Sequence, residues 1–172
     1  SEATIMYLGI LVDTNRFKMH TDARTFEACG ALRAWGANGQ VAEKALKEDY
    51  SHFMLKQQMI LQAKPYLNQF MITCGDTRII DRTIMAQVSD ALVLIKGIKA
   101  SFTIAYTSKE PITVSVSARG DGSTNVQKIM EKMNGGGHFS AAALERKNCT
   151  VTQIKEELCD VIREVYDESN IA

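Results

Sequence analysis

The chain has 172 residues, 45% of them apolar and 23% charged, with a formal net charge of zero at pH 7. That is enough apolar material for one packed domain or two small ones. The charge balance argues against a binder of duplex nucleic acid, which needs a basic excess, but accommodates a single small phosphorylated ligand.

In chain order, residues 4–12 form an apolar, buried-looking segment that ends at the polar break Asp13-Thr14-Asn15-Arg16-Phe17. Thr21 or Asp22 is a predicted N-cap, followed by helical spacing of Phe26, Cys29 and Leu32 up to the stop Gly36-Ala37-Asn38-Gly39. Further helices are predicted over 41–47 and 49–63, the latter broken by Lys64-Pro65. Residues 66–74 read as a strand, Gly75-Asp76 as a turn, and 80–96 as a helix with Ile84, Val88, Leu92 and Ile95 on one face.

Two alternating strands, 99–107 and 112–118, then form a hairpin around Ser108-Lys109-Glu110-Pro111. Their hydroxyl-bearing face leads to Arg119 and reads either as solvated surface, the expectation for Ser115, or as the floor of a cleft. Residues 125–133 are predicted helical and 144–148 a short strand. Thr150 or Thr152 caps a final helix striped by Ile154, Leu158 and Ile162. The pattern divides the chain into a helical piece, residues 1–63, and an α/β module, residues 64–172.

Four scattered cysteines, Cys29, Cys74, Cys149 and Cys159, lack metal-ligand or disulfide spacing and read as reduced thiols of a cytoplasmic setting. Asp90 and Lys96 interrupt the best apolar run, so no membrane span is predicted.

The most informative stretch joins Ser117-Ala118-Arg119 to Asn134-Gly135-Gly136-Gly137-His138. Consecutive glycines let backbone amides converge on a phosphate. Arg119 is expected to add a bidentate clamp, and His138 a donor of a type that changes charge near neutral pH. The small residues Ser140 to Ala143 predict a helix whose N-terminus faces the anion. The competing reading makes Asn134-Gly135 a helix C-cap, which accounts for one or two of the glycines. His138 is read as a binding group, with general acid as its alternative. Asp13, at the rim of a core, is either a metal ligand or a turn aspartate, with His20 a weak second ligand; residues alone leave this open.

Resemblance bears on it. Gly9 to Phe17, with the following Arg24-Thr25-Phe26-Glu27-Ala28, resembles the fourth and last motif of the DHH phosphoesterase family. Ser117-Ala118-Arg119, Asn125-Val126-Gln127 and Gly135-Gly136-Gly137-His138 resemble the associated C-terminal substrate-binding domain. Together they are similar to the C-terminal end of GdpP-type cyclic di-AMP phosphodiesterases, across essentially the whole chain.

The resemblance implies an α/β fold: a small substrate-binding domain, its mixed sheet flanked by helices, preceded by a helical remnant of the DHH domain. It implies a two-manganese centre that activates water to open cyclic di-AMP to pApA. Asp13 would be a ligand to one ion. Arg119, Asn125, Gly135, Gly136, Gly137 and His138 would grip the dinucleotide. The aspartate-containing first motif, the DxD-like second and the DHH triplet are absent from this sequence. The expectation is therefore a C-terminal fragment with no catalytic residue of its own, binding manganese poorly and hydrolysing nothing at a useful rate. The expected partners are a cyclic dinucleotide and a second copy of the chain, with the parent anchored in a membrane and this part facing the cytoplasm. The alternative is a non-catalytic nucleotide-binding or dimerisation module.

Overall fold

The structure is a computed structural model that describes the backbone of residues 1–171 and the side chains of residues 1–166. The chain divides into two compact units, Ser1–Asp49 and Tyr50–Ala172.

The first unit holds α1 (Glu2–Asp13), α2 (Ala23–Ala34) and α3 (Gly39–Ala45). Asp22 starts α2 through a reciprocal box: its carboxylate accepts from the Thr25 amide, and the Thr25 hydroxyl accepts from the Asp22 amide. Asn38 caps α3 and donates its own amide to the Thr4 hydroxyl at 3.1 Å, tying α3 to α1. Ala3, Leu32 and Ala37 make a small core with Tyr7 and Ile10. The apolar segment 4–12 is thus helical, and only part of it is buried: Ile5, Met6 and Val12 are exposed.

The second unit is built on six strands: β1 (Lys64–Tyr66), β2 (Phe70–Ile79), β3 (Ala100–Lys109), β4 (Ile112–Gly120), β5 (Gly136–His138) and β6 (Ala141–Lys147). They lie in the order β1-β2-β3-β4-β6-β5, with β2 and β3 parallel and the other pairs antiparallel. The sheet is mixed, as expected. Helices α4 (Tyr50–Gln62), α5 (Arg82–Val93), α6 (Val126–Lys132) and α7 (Val151–Ile171) complete the unit.

Alternation along the strands gives each face its own core. Phe102, Ile104, Val114, Val116, Ala118 and Leu144 pack with residues of α6 and α7, among them Ile129, Met130, Ile154 and Leu158. Ala105 faces the other way and packs with Ile84, Met85, Val88 and Leu92 of α5 and Met59 of α4. Because α4 packs on α5 and β2, it groups with the second compact unit, which begins at Tyr50.

Two local expectations fail. Gly75-Asp76 is no turn, since β2 runs through it to Ile79 with a register shift after Cys74. Residues 141–143 are not helical either. They open β6, which pairs with β5 as a hairpin, so no helix N-terminus follows the glycines. Alanine favours helix in isolation, but an open lane beside β4 gives these backbones a ladder that local propensity cannot supply.

Candidate functional site

The hydroxyl face of β3 and β4 is covered rather than solvated. Ser101, Thr103, Ser115 and Ser117 are all buried. The Ser89 hydroxyl of α5 donates to the Ser117 carbonyl at 2.9 Å and shares a 2.7 Å bond with the Thr103 hydroxyl. Ser101 donates to the Ser89 carbonyl at 2.7 Å. Ser115 bonds the Thr107 hydroxyl at 2.8 Å, which corrects its solvated reading. These bonds satisfy polar groups that burial would otherwise penalise, and they fix the helix on the sheet.

Beyond α5 the same face stays open over β6. A cavity of about 350 Å³ lies there, lined by Arg82 and Met85 of α5, Ser115, Ser117 and Arg119 of β4, and Ala143 and Glu145 of β6. Arg82 and Glu145 form an ion pair within this lining.

Arg119 is held by its neighbours. Its Nε donates to Asp90 Oδ1 at 2.7 Å, and Nη1 donates to the Ala118 carbonyl at 3.0 Å and weakly to Ser117 Oγ at 3.4 Å. Among the described residues nothing accepts from Nη2. The expected bidentate clamp is therefore reduced to the hydrogens of one terminal nitrogen, because the fold already uses the other.

The β4–β6–β5 register sets Arg119 opposite Ala141 and Ala141 opposite His138, with Ser117, Ala143 and Gly136 in the next such row. Residues directly opposite share a face, so Gly136 and His138 continue the open face past the cavity lining. His138 is exposed.

The three glycines divide by cause. A Cβ on Gly135 would stand 2.5 Å from the Ala143 carbonyl oxygen. On Gly137, whose φ is +146°, it would stand 2.4 Å from Ala142 Cα. Both are required by close approach to β6. The Gly135 amide is also spent, donating to the Met130 carbonyl at 2.7 Å beside a left-handed Asn134 that ends α6. Gly136 alone would meet nothing within 4 Å. It leaves open the row it shares with Ala143 and Ser117. The Gly135 amide is thus engaged within the fold, and Gly136, Ala141 and Ala143 form a low shelf beside one guanidinium.

Asn125 lies elsewhere. Its side-chain oxygen caps α6, accepting from the Lys128 amide at 3.1 Å, and it lines a separate cavity with Gln69, Lys99 and Phe139. Asp90, Arg82 and Glu145 were not singled out as site residues. Asp90 had a signal, a lone carboxylate inside an apolar helix, which must find a partner when buried.

Asp13 ends α1 in the first unit and is exposed. Asn15, Arg16 and Phe17 follow with φ of 45°, 55° and 63°, a left-handed run that is costly for side-chain-bearing residues. Thr14 pins it, donating to the Ile10 carbonyl at 2.7 Å and accepting from the Phe17 amide at 2.9 Å. Phe17 stacks on Phe26 at 5.6 Å. Among the described residues no group of three or more His, Cys, Asp or Glu side chains could hold a metal ion. A single carboxylate does not fit a divalent cation's need for several oxygen ligands. All four cysteines are free thiols, and burial raises the pKa of each. No helix among the described residues is long and apolar enough to cross a membrane.

Residues 64–168 match the DHHA1 domain family. The chain is 35% identical over 167 residues to the cyclic-di-AMP phosphodiesterase GdpP of Geobacillus thermodenitrificans, covering 96% of this chain and 25% of that protein. It is 36% identical over 162 residues to the cyclic-di-AMP phosphodiesterase PdeA of Listeria monocytogenes, covering 94% of this chain and 24% of the relative. The chain therefore spans about a quarter of the length of these relatives. A solved exopolyphosphatase-related protein from Bacteroides fragilis superposes with a TM-score of 0.76 at 16% identity, over 95% of this chain and 51% of the other, which is a likeness of fold.

Proposed function

The chain belongs to the DHHA1 domain family, and from that premise we propose that it is the substrate-binding portion of a phosphodiesterase that opens cyclic di-AMP to pApA. One observation carries the reading: Arg119, held by Asp90 through Nε and by the Ala118 carbonyl through Nη1, lines a cavity of about 350 Å³ beside a shelf of small residues, and its Nη2 hydrogens have no acceptor among the described residues. A phosphate oxygen satisfies those hydrogens as a charge-assisted acceptor. The shelf of Gly136, Ala141 and Ala143 lets a flat base or sugar lie against the sheet without displacing a side chain. His138, exposed at the far end of the row that Arg119 begins, donates to the same ligand.

The work assigned to this chain is binding and orientation. A manganese pair, when bound, supplies activated water for attack on the phosphodiester. The described residues assemble no such site, so Asp13 is proposed as one carboxylate toward it and no more. Association of two copies and membrane anchorage of a longer parent belong to the same reading. The second reading, a nucleotide-binding module without hydrolysis, rests on that lone Asp13.

The test is calorimetric titration of the chain with cyclic di-AMP and with pApA, in wild type and Arg119→Ala. Saturable binding by wild type, weakened by roughly 2–5 kcal/mol in the variant, is expected. Equal affinity in both would remove Arg119 from the site. Hydrolysis of cyclic di-AMP by this chain with manganese, lost in Asp13→Ala, would overturn the binding-only assignment.

A further inference from the structure

We propose that Asp90 is the positioning residue of Arg119, fixing before any ligand arrives which guanidinium hydrogens face the cavity. The proposal rests on the binding role just given to Arg119.

Asp90 sits on the sheet-facing side of α5, in a helix otherwise packed through Ile84, Met85, Val88 and Leu92. A carboxylate there must be paired, or its desolvation weighs against folding. Its Oδ1 accepts from Arg119 Nε at 2.7 Å, with the side chains only 20% and 24% exposed. The residue before it, Ser89, is fully buried and bonded to Ser101, Thr103 and Ser117. Those bonds fix the rotation of α5 on the sheet and so place the Asp90 backbone within reach of Arg119, whose Nε then holds the carboxylate.

The consequence is directional. With Nε held by Asp90 and Nη1 held by the Ala118 carbonyl, the guanidinium plane is fixed from two sides. Only Nη2 remains for a ligand. A planar, delocalised head makes this arrangement possible, whereas an ammonium has neither the plane nor the separate nitrogens. Asp90 touches no substrate in this arrangement; it acts through Arg119. Preorganisation of this kind removes an ordering cost that binding would otherwise carry.

Two measurements on the whole chain test it. In nitrogen-15 NMR, the Arg119 Nε–H resonance, identified by its loss in Arg119→Lys, is expected to exchange slowly with solvent in wild type. It should become fast in Asp90→Asn, with no ligand present. In titration with cyclic di-AMP, Asp90→Asn and Arg119→Lys should each weaken binding about tenfold or more, and the double variant should be no weaker than Arg119→Lys alone. A structural role for Asp90 lowers the melting temperature but predicts additive losses, and additivity would overturn the proposal. So would rapid Nε–H exchange in wild type, a reading that needs no variant to fold. Wild-type affinity in Arg119→Lys would sink the cavity assignment itself, while the exchange rate would still decide for or against Asp90.

Discussion

Arg119 and His138 stand in one row of the sheet with Ala141 between them. Two interstrand spacings separate their backbones by about 10 Å, and the pleat sends both side chains to the same face. The lane between them is carpeted by a methyl group at Ala141, by Ala143 and by a bare Gly136. An arginine and a histidine at the ends of a low lane can hold one ligand from two directions. The same two residues with a bulky side chain between them could not.

The glycines should therefore separate in experiment. Gly135→Ala and Gly137→Ala push a Cβ to within 2.5 Å of β6 atoms and should each destabilise the chain by about 2 kcal/mol or more. Gly136→Ala enters open space and should change stability by about 0.5 kcal/mol or less, while weakening nucleotide binding by narrowing the lane. Urea unfolding beside calorimetry reads both. Equal destabilisation at all three positions would contradict the division.

His138 is exposed. His138→Ala should thus leave the unfolding midpoint unchanged and weaken binding of cyclic di-AMP or pApA, by about 1–2 kcal/mol for one lost donor. An unchanged titration would take His138 out of the ligand's path and shorten the site to the cavity itself.

Much of this was readable from residues because local chemistry dictated it. Asp22, one of two expected caps, sits at the helix start that its side chain caps, and the alternation of β3 and β4 separates two faces as the pattern required. What sequence could not supply was which elements lie alongside one another. Ala141–Ala143 become strand because β4 and β5 lie on either side of them. Ser115 is buried because α5 lies over the hydroxyl face, and Asp90 matters because that helix brings it to Arg119 from 29 residues away. Three glycines in a row suggested an amide cradle, yet two of them record close packing. Asn125 and Arg119 share a motif resemblance but line different cavities.

Acid should loosen α5 through its cap. Hydrogen bonds from the Thr83 hydroxyl and amide hold the Asp81 carboxyl below the ordinary carboxylate value. A group with a lowered folded pKa contributes stability that is complete above its unfolded value of about 3.9. That contribution is lost as pH falls through the folded value. Asp81→Asn keeps a good cap, so it should match wild type at pH 7 and lose less stability between pH 4 and pH 2. Asp81→Ala should cost about 1 kcal/mol at neutral pH. Unfolding midpoints across that range check both, and an unchanged acid slope in Asp81→Asn would exclude the cap as a source of acid sensitivity.

Arg146 ties together the elements that frame the glycine hairpin. From β6 it donates through Nη2 to the Met133 carbonyl at 2.6 Å, at the end of α6, and to Glu157 of α7 at 3.0 Å. Nη1 forms a second contact to the same carboxylate, so the pair is a two-pronged fork that only a guanidinium can make. Arg146→Lys keeps the charge but cannot hold the carbonyl and the carboxylate together, and it should cost about 1–2 kcal/mol. Arg146→Ala also abandons the Met133 carbonyl at the helix end and should cost more, about 2–3 kcal/mol. Because the lost bond to the Met133 carbonyl lies next to Asn134 and Gly135, hydrogen exchange should quicken first across residues 133–138 and only later in α5. If exchange quickened uniformly, Arg146 would be stabilising the unit as a whole and not the hairpin in particular.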